Sequence, residues 1–382
     1  MTFYPLVLTA AFLHAFVGWR LAPELLAPWG WVLGLVLTAS AVLMPLGLLG
    51  HRVVRQPWAD RLSWVGLMLM GLFLSLFVLT ALRDVLLLAT RTVDALGFPL
   101  PLNSLRSFSG RATPLLALGV TVLGFLNARR TPAVVRVDVP IAGLPVALQG
   151  FTLAQISDIH VGPTIKHAFL QRIVSKVNTL GADVVVITGD LVDGKVADLA
   201  GHVAPLAGLQ SRHGTYFVTG NHEYYSGAHA WIAELRRLGL TVLMNEHVVL
   251  HHGDQQAAAS LVLAGVNDYT AHHFDKTHRS DPALALHGAP ADALLRVLLA
   301  HQPRSAQAAL AAGFDLQLSG HTHGGQFWPW NLFVPLQQPV TAGLNRLQNL
   351  WVYTSRGTGY WGPPKRFGAP SEITALRLVI AK

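Results

Sequence analysis

The chain has 382 residues, of which 52% are hydrophobic and 13% charged; an ordinary soluble domain carries about 25% charged residues. That balance excludes a disordered chain and a purely soluble one, and the length allows a membrane region beside a globular one. The formal charge of +8 is uneven, with ten Lys/Arg against four Asp/Glu in the first 130 residues and eighteen against sixteen thereafter. An excess lodged between apolar runs reads as membrane orientation rather than a nucleic-acid footprint, so no nucleic-acid partner is expected. Zero cysteine excludes disulfides, thiolate metal sites and a cysteine nucleophile.

Four apolar runs in residues 1–130 approach the roughly 20 residues needed to cross a bilayer: Phe3 to Trp19, Trp31 to Leu49, Leu62 to Leu82 and Pro114 to Ala128. The first lacks the basic start and cleavage site of a signal peptide and is read as a retained helix. Between the third and fourth, Arg83 to Arg111 mixes arginines with Leu-Gly-Phe-Pro-Leu-Pro-Leu, which suggests a loop along the membrane interface. Four spans put both termini on one side, with Arg52, Arg55, Arg61, Arg129, Arg130 and Arg136. The other side has Arg20, Arg83, Arg91, Arg106 and Arg111. Six against five favours an inner (cytoplasmic) membrane protein with its C-terminal half in the cytoplasm.

From Thr131 the pattern changes to short β-branched runs alternating with helical stretches, an α/β domain over residues 131–382. Five runs end in polar clusters. They deliver Asp158-Ile-His160, Gly189-Asp190-Leu-Val-Asp193, Gly220-Asn221-His222-Glu223, His301 and Gly320-His321-Thr-His323. C-terminal strand ends are where open α/β sheets build their sites. Carboxylate, amide and imidazole donors without thiolates suit Mn, Fe or Zn, and seven of them are enough for two ions sharing a bridging carboxylate. Glu223 is read as a local hydrogen-bonding partner, and Asn267 and Asp268 as candidates to line the rim. His251, His252, His272, His273, His278 and His287 are read as solvated loop residues, since no ligand spacing supports them. Phe327, Trp328, Trp330 and Phe333 are a core patch, an interface anchor or a wall for an apolar substrate tail.

The ordered set D-x-H, G-D-x-x-D, G-N-H-E, H and G-H-x-H over about residues 150–382 resembles the calcineurin-like metallophosphoesterase superfamily. The stretch from Ser355 to Ile373 looks like the tail of its bacterial membrane-associated branch. The resemblance implies a two-sheet αββα sandwich with a dimetal site at one edge. One ion would be held by Asp158, His160, Asp190 and His323, and the second by Asp190, Asn221, His301 and His321. It implies that His222 protonates the leaving oxygen or binds the phosphate, with Asp193 orienting it. Arg356 and Arg366 are candidates to clamp a phosphate. The expectation is a membrane α-helical region (residues 1–130) joined to a dimetal phosphohydrolase acting on a phosphoester or pyrophosphate in a lipid-linked or membrane-proximal substrate. Its alternatives are a broad phosphodiesterase merely anchored to the bilayer and a non-catalytic metal-stabilised interaction module.

Overall fold

A computed structural model describes residues 3–253 and 259–381. It divides the chain into two units: Met1–Arg129 with Gly362–Phe367, and Arg130–Trp361 with Gly368–Lys382. The apolar runs of the first unit become helices α1 (Phe3–Leu21) and α2 (Trp29–Leu48), a single turn α3 (Gly50–Val53), then α4 (Trp58–Ala95) and α5 (Leu102–Arg129). Among the described residues α2, α4 and α5 are long and apolar enough to cross a membrane. The interfacial loop expected over Arg83 to Arg111 is instead mostly helix, since α4 runs to Ala95 and α5 starts at Leu102.

The physical reason is that Arg83 and Arg106 of this stretch, together with Arg20 of α1, are paired. Arg20 forms two bonds to the Asp84 carboxylate, at 2.7 and 2.8 Å. Arg83 donates to Ser109 Oγ and to the Arg106 carbonyl, both at 3.0 Å, and Arg106 pairs with Glu24. His14 bonds Ser40 Oγ at 2.9 Å and stacks on Phe73, so it is a satisfied buried group. The excursion Gly362–Phe367 also belongs to this unit, although the sequence groups it with residues 131–382. Its Lys365, 2% exposed, donates to the Gly71 carbonyl at 3.1 Å and to Ser75 Oγ.

The second unit holds two six-stranded sheets. The first runs β1 (Ala133–Ile141), β12 (Glu372–Ile380), β2 (Thr152–Ile156), β3 (Val184–Ile187), β4 (Thr215–Phe217), β5 (Thr241–Val242) in spatial order. The second runs β10 (Gly343–Leu347), β11 (Leu350–Thr354), β9 (Leu316–Ser319), β8 (Leu295–Leu299), β7 (Ala259–Gly265), β6 (Glu246–His252). Strands β2 to β5 are mutually parallel, as are β7, β8, β9 and β11.

Alternation builds the layers. Leu153, Val184 and Val186 of one sheet and Leu261, Leu263, Val297, Leu316 and Leu318 of the other share one buried core. From the same strands of the second sheet Ala264 and Leu298 face the opposite way, into a cluster with Ala306, Ala309 and Phe314. The sheets therefore pack face to face with helices outside. His251 and His252 lie on β6 rather than in a loop, and His252 Nδ1 is 3.1 Å from His213 Nε2.

Candidate metal centre

The parallel strands of both sheets end towards one set of loops, which carry the ligand candidates. Asp158 and His160 follow β2 ahead of α6 (His167–Asn178), Asp190 follows β3 ahead of α7 (Val196–Val203), Asn221 and His222 open α8 (Asn221–Ser226) after β4, His301 follows β8, and His321 and His323 follow β9. Their backbones are contorted. Asp158, His160, Asp190, His321 and His323 all have φ between 51° and 70°, a left-handed region uncommon outside glycine that costs of order 1–3 kcal/mol per residue. Two glycines permit the close packing. A Cβ on Gly220 would lie 2.2 Å from Asp190 Oδ1, and one on Gly320 would lie 2.2 Å from Asp158 Oδ2.

Three ligand-like groups result: Asp158, His160 and His323; Asp190, His301 and His321; and His160, Asp193 and His222, each with one donor atom per residue within 4.8 Å of the others. His160 Nε2 faces His323 Nε2 at 3.1 Å, and His301 Nε2 faces His321 Nδ1 at 3.2 Å. Asp190 Oδ2 is 3.2 Å from His301 Nε2 and 3.9 Å from His160 Nε2, so it touches both groups. Asn221 is buried, and its Oδ1 and Asp158 Oδ2 have no hydrogen-bond partner. Oxygens orphaned in a volume where imidazole nitrogens point at one another fit divalent cations, because lone pairs that find no proton donor there are satisfied by a metal.

Electrostatics follow from this crowding. Burial pushes the Asp158 carboxyl above its usual range. For Asp190 burial acts in the same direction, but the His301 and His222 charges outweigh it and hold it well below. Burial and the His301 charge take His321 down to about 3, so it is a neutral imidazole, the form that ligates metal. His222 Nδ1 is 2.6 Å from Asp193 Oδ1, and the same oxygen lies 3.0 Å from His160 Nδ1.

Glu223 is fully buried and its carboxylate accepts from the backbone N–H groups of Asp190, Leu191, Val192 and Gly220. It pins the Asp190 turn to the start of α8, and only its place in the G-N-H-E run signalled it. Asp268 is buried and takes Gln302 Nε2 at 3.0 Å. Arg356 packs its stem beside Gly324, where a Cβ would lie 2.7 Å from its Cγ, and its Nε donates to Glu372 Oε2 at 2.7 Å. Arg366, fully buried, belongs to the helical unit, where its backbone N–H donates to Gly124 and its carbonyl accepts from Asn127.

The family model for calcineurin-like phosphoesterases matches residues 151–325. A transmembrane protein with metallophosphoesterase domain from Bos taurus is 43% identical over 309 residues, covering 77% of this chain and 68% of that protein. This chain belongs to the calcineurin-like phosphoesterase family. It is a metal-dependent phosphohydrolase, and the family uses a dinuclear metal site. The protein of the same name from Danio rerio is 41% identical over 273 residues, 69% of this chain and 62% of its own length. A metallophosphoesterase of Helicobacter pylori is 37% identical over 280 residues, 72% of each. The expected bacterial branch does not hold, since the vertebrate proteins share more identity with this chain than the Helicobacter one does.

Proposed function

We propose that this chain is a bilayer-anchored phosphohydrolase in which Asp158, His160, Asp190 and His323 hold one divalent ion. Asp190, Asn221, His301 and His321 hold the second, with Asp190 bridging. The observation that carries this reading is the pair of orphaned oxygens, Asp158 Oδ2 and Asn221 Oδ1, since each buried unsatisfied acceptor costs about 1–3 kcal/mol unless something fills it. Oxygen and imidazole donors without sulfur fit Mn, Fe or Zn. When bound, two such ions supply water activation and neutralisation of phosphoryl charge.

The chain's own groups do the proton work. Asp193 Oδ1 engages His222 Nδ1, which leaves Nε2, 4.0 Å from Asp190 Oδ2, to carry a proton to the departing oxygen. The rings of Tyr225 and Trp361 flank the His222 ring at 5.1 and 5.7 Å. Arg356, beside the His323 loop, is assigned to the phosphoryl group, and Arg366 to holding its own loop.

The substrate is read as lipid-linked. Support comes from three apolar helices in the same chain and from the exposed run Trp328, Trp330, Leu332, Phe333 and Leu336, side chains that favour the membrane interface. The Arg excess of six against five supports reading the catalytic unit on the cytoplasmic face of the inner membrane.

The test uses the full chain in vesicles loaded with Mn. Asp190→Asn is expected to lower metal content and turnover together, because a shared carboxylate serves both ions. Phosphoester lipids in the same vesicles are expected to outcompete a small soluble phosphodiester, because the lipid adds remote binding energy. Two ions retained with normal turnover in Asp190→Asn overturns the ligand assignment. Equal kcat/KM for lipid and soluble ester overturns the substrate class.

A further inference from the structure

Beyond α8, on α9 (Ala228–Arg237) and on the long connection from β7 to β8, lies a second set of metal-type donors that the hydrolytic site does not use. Asp275 Oδ2 is 3.0 Å from His229 Nε2 and 3.9 Å from His278 Nε2, and one donor atom from each of the three residues lies within 4.8 Å of the others. The other carboxylate oxygen of Asp275 is occupied by the backbone N–H and hydroxyl of Thr277, at 2.9 and 2.6 Å, which fixes Oδ2 towards the two imidazoles.

His278 is oriented from behind, its Nδ1 3.0 Å from the Tyr224 hydroxyl. With Nδ1–H donated to that oxygen, Nε2 keeps its lone pair, the outer-partner arrangement typical of a ligating histidine.

A second observation points the same way. His229, His278 and Thr277 line a cavity of about 360 Å³, and so does Asn267. Asn267 is 2% exposed, and its Oδ1 has no hydrogen-bond partner. The positive wall of this cavity, Arg236, directs a guanidinium N–H to the Val242 carbonyl at 3.4 Å.

We propose that His229, Asp275 and His278 form a separate site for a single divalent transition-metal ion of the zinc type, which clips the β7–β8 connection to α9. Two imidazoles and a carboxylate with a water in the fourth position suit zinc, and the cavity lined by His229 and His278 has room for that water. The consequence reaches the hydrolytic site through packing. Phe274, next to Asp275, stands 5.5 Å from Tyr225, whose ring is 5.1 Å from His222, so order in this connection steadies the wall beside the proposed acid.

The experiment uses the full-length protein in detergent, stripped by chelator, dialysed against zinc alone and counted by mass spectrometry. Wild type is expected to hold three zinc ions and His229→Ala/His278→Ala two. Asp275→Asn, which keeps an acceptor for Thr277, is expected to weaken zinc at this site by roughly 10- to 100-fold or more, at least the cost of losing an outer partner. Trypsin supplies an independent readout, because Lys276 and Arg279 are exposed in the same connection. Zinc is expected to slow cleavage there at least tenfold in wild type and not in the double variant.

A fall from one ion to none still supports this site while overturning the dinuclear reading, and loss of two ions by Asp190→Asn with one retained supports both. The same zinc count in wild type and double variant, or equal cleavage with and without zinc, overturns the proposal.

Discussion

The proton on His222 is held from two sides. Burial alone would drive it off, but the Asp190 charge and the Asp193 hydrogen bond reverse that and raise the imidazole to about 9. Asp193 is able to do this because, although burial pushes its carboxyl up, the His160 and His222 charges and bonds hold it below the usual carboxylate range. Bound cations oppose the imidazolium and pull its pKa down, so the alkaline limb of the loaded enzyme falls below pH 9. The sign is that of an acid: turnover of an alkyl phosphodiester is full below the limb and lost as pH rises through it. His222→Ala is expected to erase the limb and lower kcat by roughly 10²- to 10⁴-fold with metals retained. The loss shrinks on a nitrophenyl ester, whose leaving group needs little protonation. Stopped assays on both esters across pH 6–10 decide the matter, and an equal loss on both would make His222 a phosphate-binding or structural residue.

Elements explain both what the sequence disclosed and what it hid. Strands β2, β3, β4, β8 and β9 were legible because each β-branched run stops at a polar cluster, and the parallel pairing of β2 to β3 to β4 and of β8 to β9 aligns those stops. The path of Gly362–Phe367 was not legible, because a Lys-Arg pair among glycines and prolines reads as solvated loop. Its burial depends on partners far away in sequence. Gly71 and Gly124 make the room, and a Cβ on Gly124 would lie 2.6 Å from Lys365 Cγ. The same blindness affected His278 and His229, whose partner Asp275 shares no spacing pattern with the helix that carries His229. The helical extension of α4 past Leu82 was hidden because the pairing of Arg20, Asp84, Glu24 and Arg106 joins three segments. Gly124→Leu is therefore expected to expel the Lys365 stem, at the ~1–3 kcal/mol typical of overpacking. Trypsin cleavage after Lys365 or Arg366, expected to be slow in wild type because both are buried, should then quicken by about tenfold or more. Unchanged cleavage would mean that the glycine is incidental.

At the scale of the whole chain, the helical unit is discontinuous in sequence: the polypeptide leaves it after Arg129, returns to it for Gly362–Phe367 and leaves again. A soluble fragment starting at Thr131 would therefore carry Lys365 and Arg366 without the helices that bury them, so the full chain in lipid is the form for topology experiments. Helices α4 and α5 are joined by residues 96–101, and Ser104 lies exposed in the first turns of α5. If α5 crosses the bilayer, Ser104 and the catalytic unit lie on opposite faces whether the total is three spans or four, since a single span separates them. The chain has no native cysteine, so Ser104→Cys and Ser211→Cys each give a thiol without background. An impermeant maleimide added to intact cells is expected to label Ser104→Cys and to miss Ser211→Cys until the cells are opened. Labelling of Ser211→Cys alone would reverse the orientation and move the substrate to the outer face. Labelling of both in intact cells would show that α5 does not span, and with it the reading of residues 1–130 as a bundle crossing the bilayer up to the edge of the catalytic unit would fall.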